Sequence, residues 1–369
     1  MATNKNQHFV PRCYLKAFSK NGEGLSINLF NIDRRRLIQN APVKHQCSKD
    51  YFYGNDHKLE DAIQFTEGAY GNVIKAIFSS RYKFNEDHKQ FLKLFWLLQY
   101  LRTESASRRQ VEMFEGVKST VGGMSEEFVP NIKEAVLHSM HIFATEIGIV
   151  SDLKACLIKN KSKIRFVTSD DPAIMANHWH QLDCRARGRG FGLGSSGLLA
   201  LLPLSNNILF LAYDGDVYSI PNENGWAVLK NNSDAKAFNQ FQYLNCRANI
   251  FVCNGECETE LVSSLNEALP HRPKERHKIN YAVLDSTEGD YKRYVVVNPA
   301  EAGEHTEALV HSQQIFPVPS RWPSLIKWRA RGSVYTNGSG VGYVRKSQAF
   351  ERQSHNEFWI EPATIKYKT

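Results

Sequence analysis

The sequence predicts an α+β fold in which a helical first half packs on a mostly antiparallel β-sheet formed by the second half. In the first half, apolar residues recur at steps of three and four, which is typical of amphipathic helices. In the second half, short β-branched or aromatic runs are bounded by Asn, Asp, Gly and Pro, which is typical of strands. Because helices come first and strands later, a βαβ winding is disfavoured.

The helical half contains three predicted helices. They run from residue 59 to 77, from about 85 to 116 and from about 126 to 149. The predicted strands are Lys163–Thr168, Leu198–Leu204, Ile208–Tyr213, Ala248–Cys253 and Lys292–Val297, with a hairpin turn at Ser205–Asn207. We therefore expect a helical lobe with a docked N-terminal segment (1–150), an antiparallel sheet lobe (151–300) and a basic, aromatic C-terminal extension (301–369).

Charge and composition indicate the kind of partner. The chain has 46 Lys and Arg against 38 Asp and Glu, a formal charge of +8. A basic surface favours nucleic acid or a nucleotide as the partner. No apolar run approaches the ~20 residues of a membrane helix, so we expect no membrane partner. The 7 cysteines form no disulfide framework, and no secretory signal opens the chain, so we expect a cytoplasmic protein with reduced thiols.

A glycine-rich basic segment, Arg185–Gly197, separates two predicted strands. Three of its glycines match a GxGxxG pattern, but the dinucleotide fingerprint needs a preceding strand and a following helix, and the sequence offers neither. We predict a mobile loop in which Arg187 and Arg189 contact substrate phosphates. A solvated surface loop with no function is the alternative.

Four polar residues interrupt apolar patterns in the first half. His8 lies in an aromatic N-terminal segment and could transfer a proton near neutral pH. Glu67 lies on the apolar stripe of its helix, where a carboxylate needs a cationic partner. Gln99 and Arg102 end the most apolar stretch of the chain and share one helix face. Arg102 either anchors a carboxylate such as Glu67 or grips a substrate phosphate.

A pair of carboxylates follows the predicted strand Lys163–Thr168. Because adjacent side chains point apart in extended chain, at most one of Asp170 and Asp171 should face a pocket. Strand-end acids are common metal ligands and general bases, so we predict Asp170 as a catalytic residue and as the ligand of a divalent ion such as Mg²⁺. An ordinary Asp-Pro turn is the alternative.

The same segments carry a family resemblance. They are Gln7-His8-x-x-Pro11-x-x-Tyr14-Leu15, the helix from Glu60 to Glu67, Gln99-x-x-Arg102-Thr103, Ser169-Asp170-x-Pro172 and Pro203-Leu204-Ser205. Because it contains these segments in this order, the sequence resembles the bacterial domain-of-unknown-function 4238 family over about residues 5–260. The resemblance implies a bacterial or mobile-element protein and brings no reaction with it.

We therefore expect His8, Glu67, Gln99, Arg102 and Asp170 to meet in a cleft between the helices and the sheet. The favoured function is a nuclease-like hydrolase of phosphodiester bonds in RNA or DNA, such as a defence or toxin-type effector. One alternative is an enzyme on a free nucleotide such as NAD, either a glycohydrolase or a transferase. The other is a non-catalytic module that binds nucleic acid or protein, in which the polar residues form an internal lock.

Overall fold

The computed structural model describes residues 5–289, 291–351 and 357–367. Within these ranges the α-helices are α1 (Arg12–Leu15), α2 (His57–Ile77), α3 (Glu86–Arg102), α4 (Glu104–Val121), α5 (Ile132–Thr145), α6 (His178–Leu182), α7 (Asn232–Asn245), α8 (Glu258–Ala268) and α9 (Lys346–Glu351). No helix in these ranges combines the length and apolar character required to span a bilayer.

Strands occur along the whole described chain. Those before α6 are β1 (Asn6–His8), β2 (Ser26–Asn31), β3 (Arg36–Pro42), β4 (Ser48–Asp50), β5 (Lys154–Asn160), β6 (Thr168–Ser169) and β7 (Ile174–Ala176). Those up to α8 are β8 (Leu199–Ser205), β9 (Ile208–Tyr213), β10 (Tyr218–Ser219), β11 (Trp226–Leu229) and β12 (Asn249–Val252). The remainder are β13 (His277–Glu288), β14 (Tyr291–Val296), β15 (Ala308–Gln314), β16 (Lys327–Trp328), β17 (Ser333–Thr336), β18 (Tyr343–Val344) and β19 (Trp359–Pro362).

The mixed α+β class is confirmed, with most of the long helices in the first half and most of the strands in the second. The main sheet has the order β11-β5-β9-β8-β7, in which β11 pairs with β5 in parallel and the other neighbours are antiparallel. A second, antiparallel sheet has the order β3-β2-β12-β6. The strands of the first half are a correction to the prediction. Strand β2 pairs with its sequence neighbour β3 and also with β12, more than 200 residues away, and only the pairing with β12 lies beyond the reach of local patterns.

The long helix predicted from 85 to 116 is interrupted at Thr103. Thr103 has extended dihedrals, φ −73° and ψ 156°, and separates α3 from α4. Its hydroxyl oxygen accepts the backbone N–H of Ala106 at 3.1 Å, which caps α4. The apolar periodicity continues across this break, so the sequence pattern concealed it.

The predicted strand Lys163–Thr168 is also wrong in position. The strand in this part of the chain is β5 (Lys154–Asn160), and only Thr168 of the predicted run belongs to a strand. The side chains of Asn160 and Ser162 both donate to the carbonyl oxygen of Ile164, which closes a turn where the strand was expected. By contrast, β9 has the predicted bounds, and Ser205 pairs with Ile208 across the predicted hairpin.

The largest core cluster joins the helices to the main sheet. Its buried members include Tyr14, Phe95 and Trp96 on the helical side and Leu157 and Phe210 on the sheet. The indole N–H of Trp96 points at the carbonyl oxygens of Ile174 and Leu201, each at 3.2 Å, so α3 docks directly on the sheet. Burying this apolar surface is what fixes the end of α3 near the N-terminal segment.

The C-terminal extension packs on a second core cluster. Ile326, Val334 and Ala363 are buried there with Trp179, whose indole N–H donates to the carbonyl oxygen of Ala363 at 2.8 Å. Trp322 stacks on His178 with ring centroids 4.0 Å apart. Trp322 of the extension is therefore engaged within the protein.

Candidate functional site

The N-terminal segment is held in place by both backbone and side-chain bonds. Strand β1 pairs antiparallel with β4, which places His8 opposite Ser48. The buried hydroxyl of Tyr14 contacts the Thr168 hydroxyl at 2.6 Å and donates to the Pro203 carbonyl oxygen at 2.7 Å. The segment around Tyr14 is thereby fixed against β6 and β8.

Arg102, the last residue of α3, connects this segment to α2. It is 0% exposed, and its Nη2 donates to Oε1 of Glu67 at 2.8 Å and to the carbonyl oxygen of His8 at 2.7 Å. Its Nε donates to the Tyr53 hydroxyl at 2.8 Å. Of the two roles considered for Arg102, the structure shows the anchoring of Glu67. The side chain of Glu67 remains 25% exposed and so is less buried than the apolar stripe predicted.

Glu67 and His8 line a surface pocket of about 140 Å³. Arg12, Tyr53 and Glu60 also line it, together with Asn6, Gln7, Ile63 and Gln64. The ion pair with Arg102 uses Oε1 of Glu67, and no described residue donates to Oε2. The pocket therefore contains a carboxylate that is fixed through one oxygen while its second oxygen is left available.

The His8 ring is held in its neutral form. Burial and the nearby Arg12 guanidinium lower the pKa of His8 to about 4, and hydrogen bonding to the backbone at Lys44 acts in the opposite direction. Its Nε2 is buried and has no partner among the described residues. Near neutral pH this imidazole can accept a proton, whereas it cannot serve as a charged donor.

Further polar atoms without partners lie where α2 meets α3. Gln99 is fully buried, and neither its amide nitrogen nor its amide oxygen has a partner among the described residues. The same holds for the Tyr70 hydroxyl and for Nη1 of Arg102. Gln99 lies one turn before Arg102, and the ring of Tyr70 stacks on Phe95 at 4.1 Å. Because buried polar groups are normally paired, this junction has spare capacity for an ordered water or a ligand atom. The sequence assigned Tyr70 only to an apolar stripe.

Asp170 is not among the described residues that line this pocket. Its two carboxylate oxygens accept the backbone N–H groups of Arg247 at 2.8 Å, Ala248 at 2.8 Å and Asn249 at 2.9 Å. Burial raises the pKa of Asp170 to about 6, against the effect of these three hydrogen bonds. The described residues contain no group of three His, Cys, Asp or Glu that could hold a metal ion.

Asp171 has different partners from its neighbour. It accepts a hydrogen bond from the Thr103 hydroxyl at 2.7 Å and forms an ion pair with Arg109. The two adjacent carboxylates thus have separate partners, in the bend between β6 and β7. The Ser169–Pro172 and Gln99–Thr103 segments are joined by this Thr103–Asp171 contact.

Glu104 was not among the site residues predicted from the sequence. Its side chain is 8% exposed and lies 2.8 Å from Lys49, 2.8 Å from Arg108 and 3.2 Å from Arg247. Burial raises the pKa of Glu104, but the three cations outweigh this and hold it below its usual value. A single carboxylate therefore serves three cations.

The glycine-rich segment is pinned by the C-terminal extension and is not the free loop predicted. Arg185 pairs with Asp183 at 2.8 Å and with Glu361 at 2.7 Å. Arg189 donates to the carbonyl oxygen of Ser339 at 2.8 Å, whereas Arg187 is exposed. Neither Arg187 nor Arg189 is among the described residues that line the pocket at Glu67. Gly197 leads into strand β8, which agrees with the rejection of a dinucleotide fingerprint.

Comparison with known proteins gives one match. A family model described as protein of unknown function, DUF4238, matches residues 6–256. No curated protein and no solved structure matches the chain. The matched range includes His8, Glu67, Gln99, Arg102 and Asp170 and ends before the C-terminal extension.

Proposed function

The chain belongs to the DUF4238 family, and from the geometry of its pocket we propose that it hydrolyses phosphodiester bonds in nucleic acid. The observation that carries this proposal is the carboxylate of Glu67, held in an open pocket by the buried guanidinium of Arg102. A base that is oriented by a second, buried group is the arrangement that acid–base catalysis requires. A nuclease of this kind could act as a defence or toxin-type effector, and the geometry of the pocket does not bear on that role.

Glu67 is the proposed general base. Its carboxylate takes a proton from a water molecule, the water oxygen bonds to phosphorus, and the bond from phosphorus to the leaving sugar oxygen breaks. The leaving oxygen takes a proton from solvent. The exposed Arg12 guanidinium lies beside the pocket and offsets negative charge on the phosphate. The neutral His8 ring is a second proton acceptor in the same pocket.

Arg102 acts as a positioning residue in this proposal. Because no part of it is exposed, it does not reach a substrate, and its hydrogen bonds fix Glu67 and the backbone of His8. Gln99, also fully buried, belongs to the same supporting layer. This departs from the prediction that Gln99 and Arg102 bind the substrate directly.

The size of the pocket favours the binding of one small group that belongs to a larger substrate. Pockets for whole drug-sized ligands measure about 300–1,000 Å³. The pocket at Glu67 measures about 140 Å³, which suits one phosphodiester group and leaves the rest of a polymer outside. A divalent ion such as Mg²⁺ at Asp170 would need an oxygen that is now bonded to backbone N–H groups.

Hydrolysis of a free nucleotide such as NAD is the second candidate. The observation that favours it is the close Arg102–Glu67 ion pair, because a fixed carboxylate could also stabilise a positively charged sugar. In that reaction the bond from the sugar to the base breaks and water adds to the sugar carbon. A non-catalytic binding module is the third candidate, with the same ion pair as an internal lock.

One screen separates these candidates. Purified protein is incubated with single-stranded RNA, single-stranded DNA and NAD, each with and without EDTA. We expect cleavage of a nucleic acid, and a loss of about 100-fold or more in Glu67→Gln. Asp61→Asn, an exposed acid on the same helix, is the matched control and should retain activity.

The outcomes decide between the proposals. NAD consumption that depends on Glu67 would replace the phosphodiester proposal with the second candidate. Equal activity of Glu67→Gln and wild type on every substrate would overturn both. Loss of activity in EDTA would require a metal ion in the mechanism.

A further inference from the structure

We propose that a single-stranded nucleic-acid chain lies across a basic platform next to the pocket, formed by Lys49, Arg108 and Arg247 around Glu104. This inference rests on the proposed function and names the form of its substrate. A polymer is implied because the cations lie outside the pocket and in excess of their carboxylate.

Charge is the first observation. Lys49, Arg108 and Arg247 all contact the same oxygen, Oε1 of Glu104, so three positive charges face one negative charge. The cationic side chains are 39–47% exposed, whereas Glu104 is buried beneath them. The platform therefore presents about two uncompensated positive charges to solvent. Such a surface attracts phosphates by releasing their counterions.

Exposed ion pairs elsewhere on the described surface have a different stoichiometry. Lys292 pairs with Glu307, Arg293 with Asp285 and Arg321 with Glu267, one carboxylate to each cation. These pairs are locally neutral. At the platform, by contrast, three cations share one carboxylate.

The position of the platform is the second observation. Lys49 on β4 pairs with Gln7 on β1, and the next pair joins Ser48 to His8. Both Gln7 and His8 line the pocket. On the other side, Glu104 follows the anchoring residue Arg102 by two positions. The platform residue Lys49 is therefore paired directly with a residue that lines the pocket.

Positive charge continues beyond Arg247. Arg272 donates to the carbonyl oxygens of Cys246 at 2.6 Å and Arg247 at 3.4 Å, and neither it nor Arg276 forms an ion pair with a described residue. Arg109 and Arg272 both lower the pKa of Arg276, after burial, which shows how closely these cations gather. Arg272 thus adds a further positive charge beside Arg247.

A single strand fits this arrangement better than a duplex. The bound strand must turn from the platform into the pocket over the short distance between Lys49 and its paired residue Gln7. A flexible single strand can bend in this way, whereas duplex DNA has a persistence length of about 50 nm. The two-part site thus selects a flexible polyanion.

The test compares two variants that each lose three positive charges. The platform variant is Lys49→Gln/Arg108→Gln/Arg247→Gln, and the matched control is Lys292→Gln/Arg293→Gln/Arg321→Gln. Binding of a fluorescent 20-nucleotide single-stranded RNA is measured by anisotropy between 50 and 200 mM salt, with gels to verify that the strand is intact. Circular dichroism checks that each variant is folded.

We expect the platform variant to lose at least about 10-fold in affinity at 50 mM salt. The dependence of log Kd on log salt should flatten by about 2, since each lost phosphate contact in a single strand contributes about 0.7. The control variant should change far less in both respects. Equal losses in the two variants, or tighter binding of a duplex than of the single strand, would overturn the proposal.

Two additional measurements keep the outcomes separate. If the platform variant is unstable because Glu104 loses its partners, Lys49→Gln/Arg247→Gln retains the Arg108 pair and should show about two thirds of the change in slope. Cleavage of a dinucleotide, whose single phosphodiester group occupies the pocket and leaves no further phosphate for the platform, should be unchanged in the platform variant. If the dinucleotide is not cleaved but the platform variant still loses affinity for the single strand, the proposed function alone is refuted. If the dinucleotide is cleaved but the platform variant binds the single strand as tightly as wild type, this inference alone is refuted.

Discussion

Nη2 of Arg102 lies 2.8 Å from Oε1 of Glu67, and the two partners differ in burial: Arg102 is 0% exposed and the Glu67 side chain 25%. If Glu67 is removed, a charged guanidinium remains in the interior with only neutral partners. If Arg102 is removed, the carboxylate can still be hydrated from the pocket. Loss of this contact therefore costs more free energy when Glu67 is removed than when Arg102 is removed.

We predict that Glu67→Gln lowers the free energy of unfolding by about 2–4 kcal/mol, because it leaves a buried cation without its counter-charge. Adding Arg102→Met to this variant should cost less than Arg102→Met costs in the wild type, since the two residues form a coupled pair. Urea denaturation of both single variants and the double variant measures this coupling. Asp61→Asn on the same helix should change the free energy by about 0.5 kcal/mol or less. Additive effects of the two substitutions would contradict the pairing.

Thr103 is predicted to be structurally sensitive despite its position between two helices. Thr103→Val removes both the cap of α4 and the hydrogen bond to Asp171, so we expect a loss of about 1–3 kcal/mol. Thr103→Ser retains the hydroxyl and should lose markedly less. Urea denaturation of the two variants provides the comparison, and a loss in Thr103→Ser as large as that in Thr103→Val would contradict the dominant role of the hydroxyl.

Arg345 is predicted to fasten the C-terminal extension. It is 2% exposed and donates to the carboxylate of Asp152 at 2.9 Å and to the carbonyl oxygens of Leu193 and Ile149. Arg345→Met leaves these acceptors without a donor and should cost about 3 kcal/mol or more. Limited proteolysis should then cut the glycine-rich segment faster than in wild type. Arg293→Met, at an exposed ion pair, is the control and should leave both measurements unchanged.

The stability of the protein should depend on pH through His8. Its pKa is about 4 in the folded protein and about 6.5 in an unfolded chain, so between these values only the unfolded chain binds the proton. His8 therefore makes the free energy of unfolding fall as pH decreases from 6.5 to 4. His178, His180 and His277 act in the same direction, with pKa values also lowered to about 4.

His8→Gln should reduce the number of protons taken up on unfolding near pH 5 by up to about one. The measurement is the slope of the unfolding free energy against pH in wild type and variant. Asp170 and Asp214, whose pKa values are raised to about 6, oppose the histidines in both proteins and cancel in the comparison. An unchanged slope would mean that the His8 ring is not buried in the folded state.

Local patterns in the sequence determined a large part of this protein. The helix at 57–77, the strand Ile208–Tyr213 and its hairpin follow from residue periodicity and turn residues, which act over a few positions. The need of Glu67 for a cation, and Arg102 as one candidate for it, also followed from single residues that violate an apolar pattern. The family match over residues 6–256 confirms that the ordered motifs were read correctly.

Tertiary structure alone decided which of these residues lie together. Asp170 was expected at the site, yet its carboxylate is engaged by the backbone of a loop almost 80 residues later. Glu104 was passed over, yet Lys49 and Arg247 from distant segments join Arg108 of its own helix around it. Hydrogen bonds and ion pairs between distant segments leave no periodic trace in the sequence. Such contacts depend on how the core brings α3, β4 and the loop before β12 together, because charged groups interact strongly only over a few ångströms.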